Sequence, residues 1–145
     1  MNNTNILAEI RTLLLLWDEI TDITDVRIRV DGFAADDGTN AAVMLEIVDG
    51  NQQNFTGEDT PCMIADVLVT CRSTNETTRT QMAEAIRSRN TDPSTGLDGY
   101  RGSAGLGWII QSNRTDTAAG KLYDQDGDET DFYEQRDVYR ILYRV

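Results

Sequence analysis

The hydrophobic positions near the N-terminus recur at the spacing of one face of an α-helix. Polar residues occupy the opposite side, so the pattern predicts an amphipathic helix over residues 5–19. The apolar positions are Ile6, Leu7, Ile10, Leu13, Leu14 and Trp17. The polar segment that follows, 21–25, predicts a turn.

Three segments in the first half of the chain have the patterns of β-strands. Period-two alternation predicts a half-buried strand at 26–30, and a more continuous apolar run predicts a central strand at 42–48. A polar loop over 51–61 is expected to lead into a third strand at 62–72. That strand would place Asp66 on the face opposite its apolar residues, which are Met63, Ala65, Val67, Val69 and Cys71.

A second helix and two further strands follow. Ser73 and Glu76 have the spacing of a capping box, which predicts a helix over about 74–89. Its buried stripe would be formed by Met82, Ala85 and Ile86, with Arg89 as a further candidate. A strand is predicted to begin at 106–111, and a long, polar and acidic hairpin connection at 115–130 leads to a last strand at 133–145.

The last strand alternates between two kinds of face. One face carries Tyr139, Ile141, Tyr143 and Val145, and the other carries Val138, Arg140, Leu142 and Arg144. Arginine alternating with aliphatic residues on an exposed face suits a protein–protein contact. A merely solvated sheet face is the alternative.

The order of predicted elements is helix, three strands, helix, two strands. This order indicates an α+β fold, an antiparallel sheet of about five strands with two helices packed on one face. The length of 145 residues suits one domain spanning 1–145.

Composition excludes several classes of function. The net charge of −12 argues against binding nucleic acid through phosphate contacts, which require clustered Lys and Arg. The longest apolar run, 13–17, is too short to cross a membrane, and the N-terminus lacks the cationic start of a secretory signal. We therefore expect a cytoplasmic chain that does not enter a membrane.

The sequence also lacks the usual catalytic residues. It contains no histidine, the commonest general base and metal ligand, and no pair of carboxylates is fixed at a common site. We expect no enzymatic activity and no cofactor. Cys62 and Cys71 would lie about 30 Å apart along one strand, too far to form a disulfide.

Asp124, Asp126 and Asp128 alternate as the ligands of a calcium loop do. An EF-hand would need glycine at the sixth position and glutamate at the twelfth, where this chain has Glu129 and Gln135. A solvated acidic turn is the favoured interpretation, and no metal is expected. The alternative is a small cytoplasmic ligand- or calcium-binding domain that uses the loop 124–128.

Several segments together resemble those of a known family. After the apolar helix 6–17, the strand 62–72 and the helix 74–89, the chain carries Leu97-Asp98-Gly99-Tyr100-Arg101-Gly102 before a strand containing Trp108-Ile109-Ile110. Acidic passages at 114–116 and 123–124 and the closing strand 137–143 follow. The pattern resembles the tail-completion proteins of tailed bacteriophages, which include tail terminators and tail-to-head joining proteins.

The resemblance implies a structural role in the virion. Members of the family form a ring, usually of roughly six copies, which terminates the tail tube and docks to the head connector or stopper protein. The chain would be assembled in the host cytoplasm, and DNA would pass through the ring without specific binding. Acidic side chains facing the lumen would repel that DNA. The candidate interface residues are Val138, Arg140, Leu142, Arg144 and Tyr123.

Overall fold

The computed structural model describes residues 3–56, 61–91 and 95–144. Three α-helices and six strands form within these ranges. The helices are α1 (Asn3–Leu15), α2 (Asp18–Thr24) and α3 (Glu76–Ser88), and a short 3-10 helix covers Ala35–Asp37. The strands are β1 (Ile28–Val30), β2 (Ala42–Thr56), β3 (Pro61–Ser73), β4 (Gly102–Ala104), β5 (Gly107–Tyr123) and β6 (Glu129–Arg144).

The strands form one mixed sheet in the order β1-β2-β3-β6-β5-β4. The α+β class is confirmed, but the antiparallel sheet of about five strands was wrong in detail. A sixth strand, β4, lies in a glycine-rich segment too short to show alternation. In addition β1 pairs with β2 in parallel, because the connection 31–41 carries the chain back to the start of β1 before β2 begins.

The described residues form three α-helices, whereas two were predicted. The helix expected over 5–19 ends at Leu15, and Trp17, in an extended conformation, precedes a separate helix that runs to Thr24. The segment 21–25 is therefore largely helical and was wrongly predicted as a turn. Ile20 and Thr24 are fully buried, so tertiary packing favours the helix despite the weak helix propensity of Asp and Thr.

Two segments predicted as loops are strand extensions. Strand β2 continues to Thr56 and β3 starts at Pro61, so the loop 51–61 is much shorter than expected; residues 57–60 lie outside the described part of the chain. The connection predicted at 115–130 is a long β-hairpin whose turn spans 124–128. Its polar residues gave no alternation because both faces of its far end are exposed.

One face of the sheet and the helices share the hydrophobic core. Met63, Ala65, Val67, Val69 and Cys71 are buried on this face, as predicted. Tyr139, Ile141 and Tyr143 of β6 are buried beside them, also as predicted, and Val145 lies outside the described residues. All of these side chains belong to one cluster with those of α1, α2 and α3. Cys62 and Cys71 lie near opposite ends of β3 and form no disulfide with each other, which confirms that prediction.

The N-terminus of α3 is capped two residues later than predicted. The side chain of Asn75 accepts a hydrogen bond of 3.0 Å from the Thr78 amide, whereas Ser73 accepts one of 3.1 Å from the Asn75 amide. The capping box of Ser73 and Glu76 was therefore wrong, because Ser73 still belongs to β3.

Replacing Asn75 with alanine should lower the free energy of unfolding by about 1 kcal/mol, because an orphan helix amide loses its acceptor. Urea unfolding followed by circular dichroism measures the loss. Asn75→Asp is the matched control, since a carboxylate can accept the same bond, and it should stay close to the parent. Equal losses in both variants would contradict the capping role.

Candidate assembly surface

The face of the sheet opposite the helices, here called the outer face, carries the predicted interface residues of β6. Val138 and Leu142 are half-buried, and Arg140 and Arg144 are exposed. Their cross-strand neighbours on β3 are Leu68, Asp66, Ile64 and Cys62, and those on β5 are Asp116, Asn113, Gln111 and Trp108. The four residues of β6 thus share one surface, as the alternation predicted.

Arg140 is held in place by a carboxylate on the neighbouring strand. Its Nε and Nη2 atoms donate to the two oxygens of Asp66 at 2.9 and 3.2 Å. The Asp66 side chain is only 11% exposed, whereas that of Arg140 is 58% exposed. The paired geometry fixes the guanidinium direction, and more than half of the side chain is left available to a partner.

A shallow pocket lies beside Arg140 on the outer face. It is lined by Ile64, Gln111, Asn113, Thr115, Arg140 and Leu142. Its floor is aliphatic and its rim consists of amide, hydroxyl and guanidinium groups. This combination is typical of the centre of a protein–protein contact, where an apolar floor is ringed by hydrogen-bonding groups.

Apolar side chains are exposed next to this pocket. Trp108 is 41% exposed, and its ring centroid lies 6.0 Å from the Arg144 guanidinium carbon. Leu106, in the tight turn between β4 and β5, is 95% exposed. The carboxylate of Glu9 on α1 accepts hydrogen bonds from the backbone of Gly107 and Leu106, and burial raises the pKa of Glu9 above its usual value. The turn is therefore anchored to α1 while Leu106 points to solvent.

Two phenylalanine rings pack against Arg72, at the end of the sheet away from Arg144. The guanidinium of Arg72 lies 3.8 Å from the ring centroid of Phe33 and 4.4 Å from that of Phe132. Cation–π contacts of this kind tie the connection 31–41 to strand β6. The cluster has no signature in the sequence, because Phe33 lies in a loop with no periodic pattern.

The turn of the β5–β6 hairpin carries the acidic residues. One oxygen of Asp124 accepts hydrogen bonds from the amides of Asp126 and Asp128 at 2.9 and 3.0 Å. The carboxylate of Asp124 therefore shapes the turn, while Asp126 and Asp128 are exposed. Within the described ranges, no three Asp, Glu, Cys or His side chains are grouped so that they could hold a metal ion.

Tyr123 lies apart from the other predicted interface residues. It is 55% exposed and pairs with Glu129 at the far end of the hairpin. Glu129, which pairs with Tyr123, and Arg144 are fifteen residues apart along β6. In an extended strand this separation is roughly 45 Å. Tyr123 is therefore far from Arg140 and Arg144, and it lines a different pocket together with Lys121, Glu134 and Arg136.

The segment 97–102 links three parts of the fold. The amides of Leu97 and Asp98 donate to carbonyls of the last turn of α3. The Asp98 carboxylate accepts from the Arg114 amide at 3.0 Å, and Gly99 donates to Ser112. Tyr100 packs against Trp17 with ring centroids 5.9 Å apart. The segment thereby covers part of the edge of β5.

Comparison with solved structures shows a similarity of fold, whereas the comparisons of sequence found no match. No protein-family model and no curated protein sequence matches the chain. The fold is similar to that of a chain in the solved structure of the "Virion of native gene transfer agent (GTA) particle". The TM-score is 0.58 at 12% sequence identity, and the match covers 87% of this chain and 84% of that chain. Among the described residues, no helix is long and apolar enough to span a bilayer.

Proposed function

We propose that this chain is a structural virion protein that forms a ring at the head–tail junction. In this role it would terminate the tail tube and join it to the head connector, without catalysis and without entering a membrane. The observation that carries the proposal is the similarity of fold to a chain of a gene transfer agent virion over 87% of the sequence.

The surface of the molecule suits assembly. An exposed tryptophan and several arginines lie on the outer face, and both residue types are enriched at protein interfaces. An exposed leucine, Leu106, lies in the turn between β4 and β5. The pocket beside Arg140 and the turn of the β5–β6 hairpin lie on different parts of the subunit, so a contact between them in successive copies is head-to-tail. Such a contact closes into a ring when the rotation per subunit permits it.

The first test is the native mass of the purified protein over a range of concentrations. We expect a ring of roughly six copies, or growth towards one, in sedimentation velocity and in negative-stain images. The same samples with added calcium should show an unchanged midpoint of thermal unfolding. A monomer whose unfolding midpoint rises with calcium would contradict the proposal and favour the binding-domain alternative.

The particle itself gives a second test. Antibody against the chain should label the junction between head and tail in images of assembled particles. Particles made without the chain should show separated heads and tails, or tails of uneven length, because the tail tube lacks its terminator. Label spread along the whole tail or over the head would contradict the proposed position.

A further inference from the structure

The charges of the chain are distributed unevenly between the outer face and the hairpin. On β6, Arg136, Arg140 and Arg144 all point to the outer face at every fourth position. The cross-strand neighbours of Arg136 are Thr70 and Ala118, and those of Arg144 are Cys62 and Trp108. Neither of these two exposed arginines thus has a carboxylate directly opposite it, in a chain of net charge −12.

The opposite charge is concentrated at the hairpin tip, defined here as residues 123–131. It carries Asp124, Asp126, Asp128, Glu129 and Asp131. Asp126, Asp128 and Asp131 are exposed. Tyr123, the aromatic residue of the tip, is 55% exposed and its hydroxyl lies 3.4 Å from a Glu129 oxygen. Tyrosine contributes large contact area at low entropic cost when it enters a pocket.

The tip cannot reach Arg140 or Arg144 of its own chain, although Tyr123 and Arg136 line one pocket. It is the continuation of the same strands that carry them, and Asp131 and Arg144 are thirteen residues apart on β6. An extended strand of that length spans about 40 Å. A contact between the tip and Arg144, or between the tip and the pocket beside Arg140, must therefore join two molecules.

We propose that the hairpin tip of one copy docks on the outer face of a second copy. This inference rests on the proposed self-assembling ring. Tyr123 enters the pocket floored by Ile64 and Leu142, and the tip carboxylates face Arg144 and Arg136 of the neighbour. Complementary charge selects this pairing over others between two acidic molecules, which otherwise repel one another.

Charge reversal of each surface tests the contact. The tip variant is Asp126→Arg with Asp128→Arg, which leaves the turn-forming Asp124 intact. The face variant is Arg136→Glu with Arg144→Glu, which leaves the Arg140–Asp66 pair intact. Each variant alone should need at least about tenfold more protein to assemble, because like charges now meet at every contact.

An equimolar mixture of the two variants is the decisive sample. In alternating order, every contact in the mixture joins opposite charges, so assembly should return to within about threefold of the parent concentration. Varying the salt concentration alone would not isolate the attraction between the tip and the outer face. Salt weakens both that attraction and the overall repulsion between two acidic molecules. The control variant Asp18→Arg with Asp22→Arg changes the charge equally on exposed positions of α2 and should not rescue the face variant.

The outcomes distinguish the contact from the ring. If either variant alone forms rings as well as the parent does, the proposed contact between tip and outer face is contradicted, but the proposed ring is not. A mixture that fails to assemble would also overturn the contact. Rescue that yields only dimers would support the contact and contradict the ring. A parent protein that stays monomeric at every concentration would overturn both. Urea unfolding of each variant confirms that it is folded before assembly is measured.

Discussion

Replacing Gly96 with alanine should lower the free energy of unfolding by about 3 kcal/mol. A Cβ atom at this position would overlap the backbone nitrogen of Ser88 and lie 2.5 Å from the carbonyl carbon and oxygen of Arg87. These are backbone atoms at the end of α3, and they cannot rotate away as a flexible side chain could. The chain or the helix end must therefore move.

Such a movement would break the contacts made next to Gly96. The Leu97 amide donates to the Ile86 carbonyl at 2.7 Å and the Asp98 amide donates to that of Arg87 at 3.2 Å. Both bonds hold the segment 97–102 against α3. Urea unfolding followed by tryptophan fluorescence measures the loss, and the linear extrapolation gives the free energy in water.

Gly120→Ala is the matched control for this prediction. Nothing lies within 4 Å of a Cβ atom at Gly120, which is exposed on β5. The change should leave stability within about 0.5 kcal/mol of the parent or raise it slightly, because alanine restricts the unfolded chain. Similar losses in the two variants would show that the close approach at Gly96 is not what determines its effect.

The sequence predicted the elements whose side chains face the core. The period-two alternation of Tyr139, Ile141 and Tyr143 assigned the inner face of β6, because a strand cannot bury both sets of alternate residues against one layer of helices. The stripe of Met82, Ala85 and Ile86 on α3 was predicted from helical spacing, and all three residues are buried. The further candidate Arg89 is only half-buried, because the helix ends before it.

The sequence patterns could not predict the contacts between distant segments. The parallel pairing of Ile28 with Val43 depends on how the connection 31–41 folds. Arg72 between Phe33 and Phe132 joins three segments with no shared periodicity. Local patterns report which side of an element is apolar, and they carry no information about which segment covers it.

The candidate assembly surface, too, was predicted from the sequence only in part. Alternation placed Val138, Arg140, Leu142 and Arg144 together correctly, because strand geometry alone decides it. Tyr123 could not be placed relative to them until the hairpin register was known, since the segment 115–130 was predicted as a connection. Because Tyr123 lies far from Arg140 and Arg144, the proposed contact of the tip with the pocket beside Arg140 has to join two copies.

Asp37→Asn should lower the free energy of unfolding by about 2 kcal/mol at neutral pH. Asp37 is fully buried and accepts from Arg29 Nη2 and Nε at 2.6 and 3.2 Å and from the Ala34 amide at 2.9 Å. The side-chain amide of asparagine lacks the negative charge with which Asp37 balances the Arg29 guanidinium. The loss is smaller than for a wholly buried pair, because the Arg29 side chain is 29% exposed and water partly compensates it.

Asp36→Asn is the control for the Asp37 variant. Asp36 is the neighbouring residue in the same short 3-10 helix and is exposed. Its replacement should change stability by less than about 0.5 kcal/mol. A comparable loss in the two variants would mean that the overall charge of the connection 31–41, rather than the buried pair, determines its stability.

The difference between the parent and Asp37→Asn should itself depend on pH. The hydrogen bonds from Arg29 hold the pKa of Asp37 below its ordinary value, against the opposing effect of burial. The unfolded chain therefore binds this proton more readily than the folded chain, and the stabilisation is complete above the ordinary aspartate pKa of about 4. As pH falls through the lower folded value, the parent loses that contribution and the variant does not. Urea unfolding at several pH values should show the difference shrinking on acidification. A difference that stayed constant from pH 7 to pH 3 would assign the loss to packing rather than to charge.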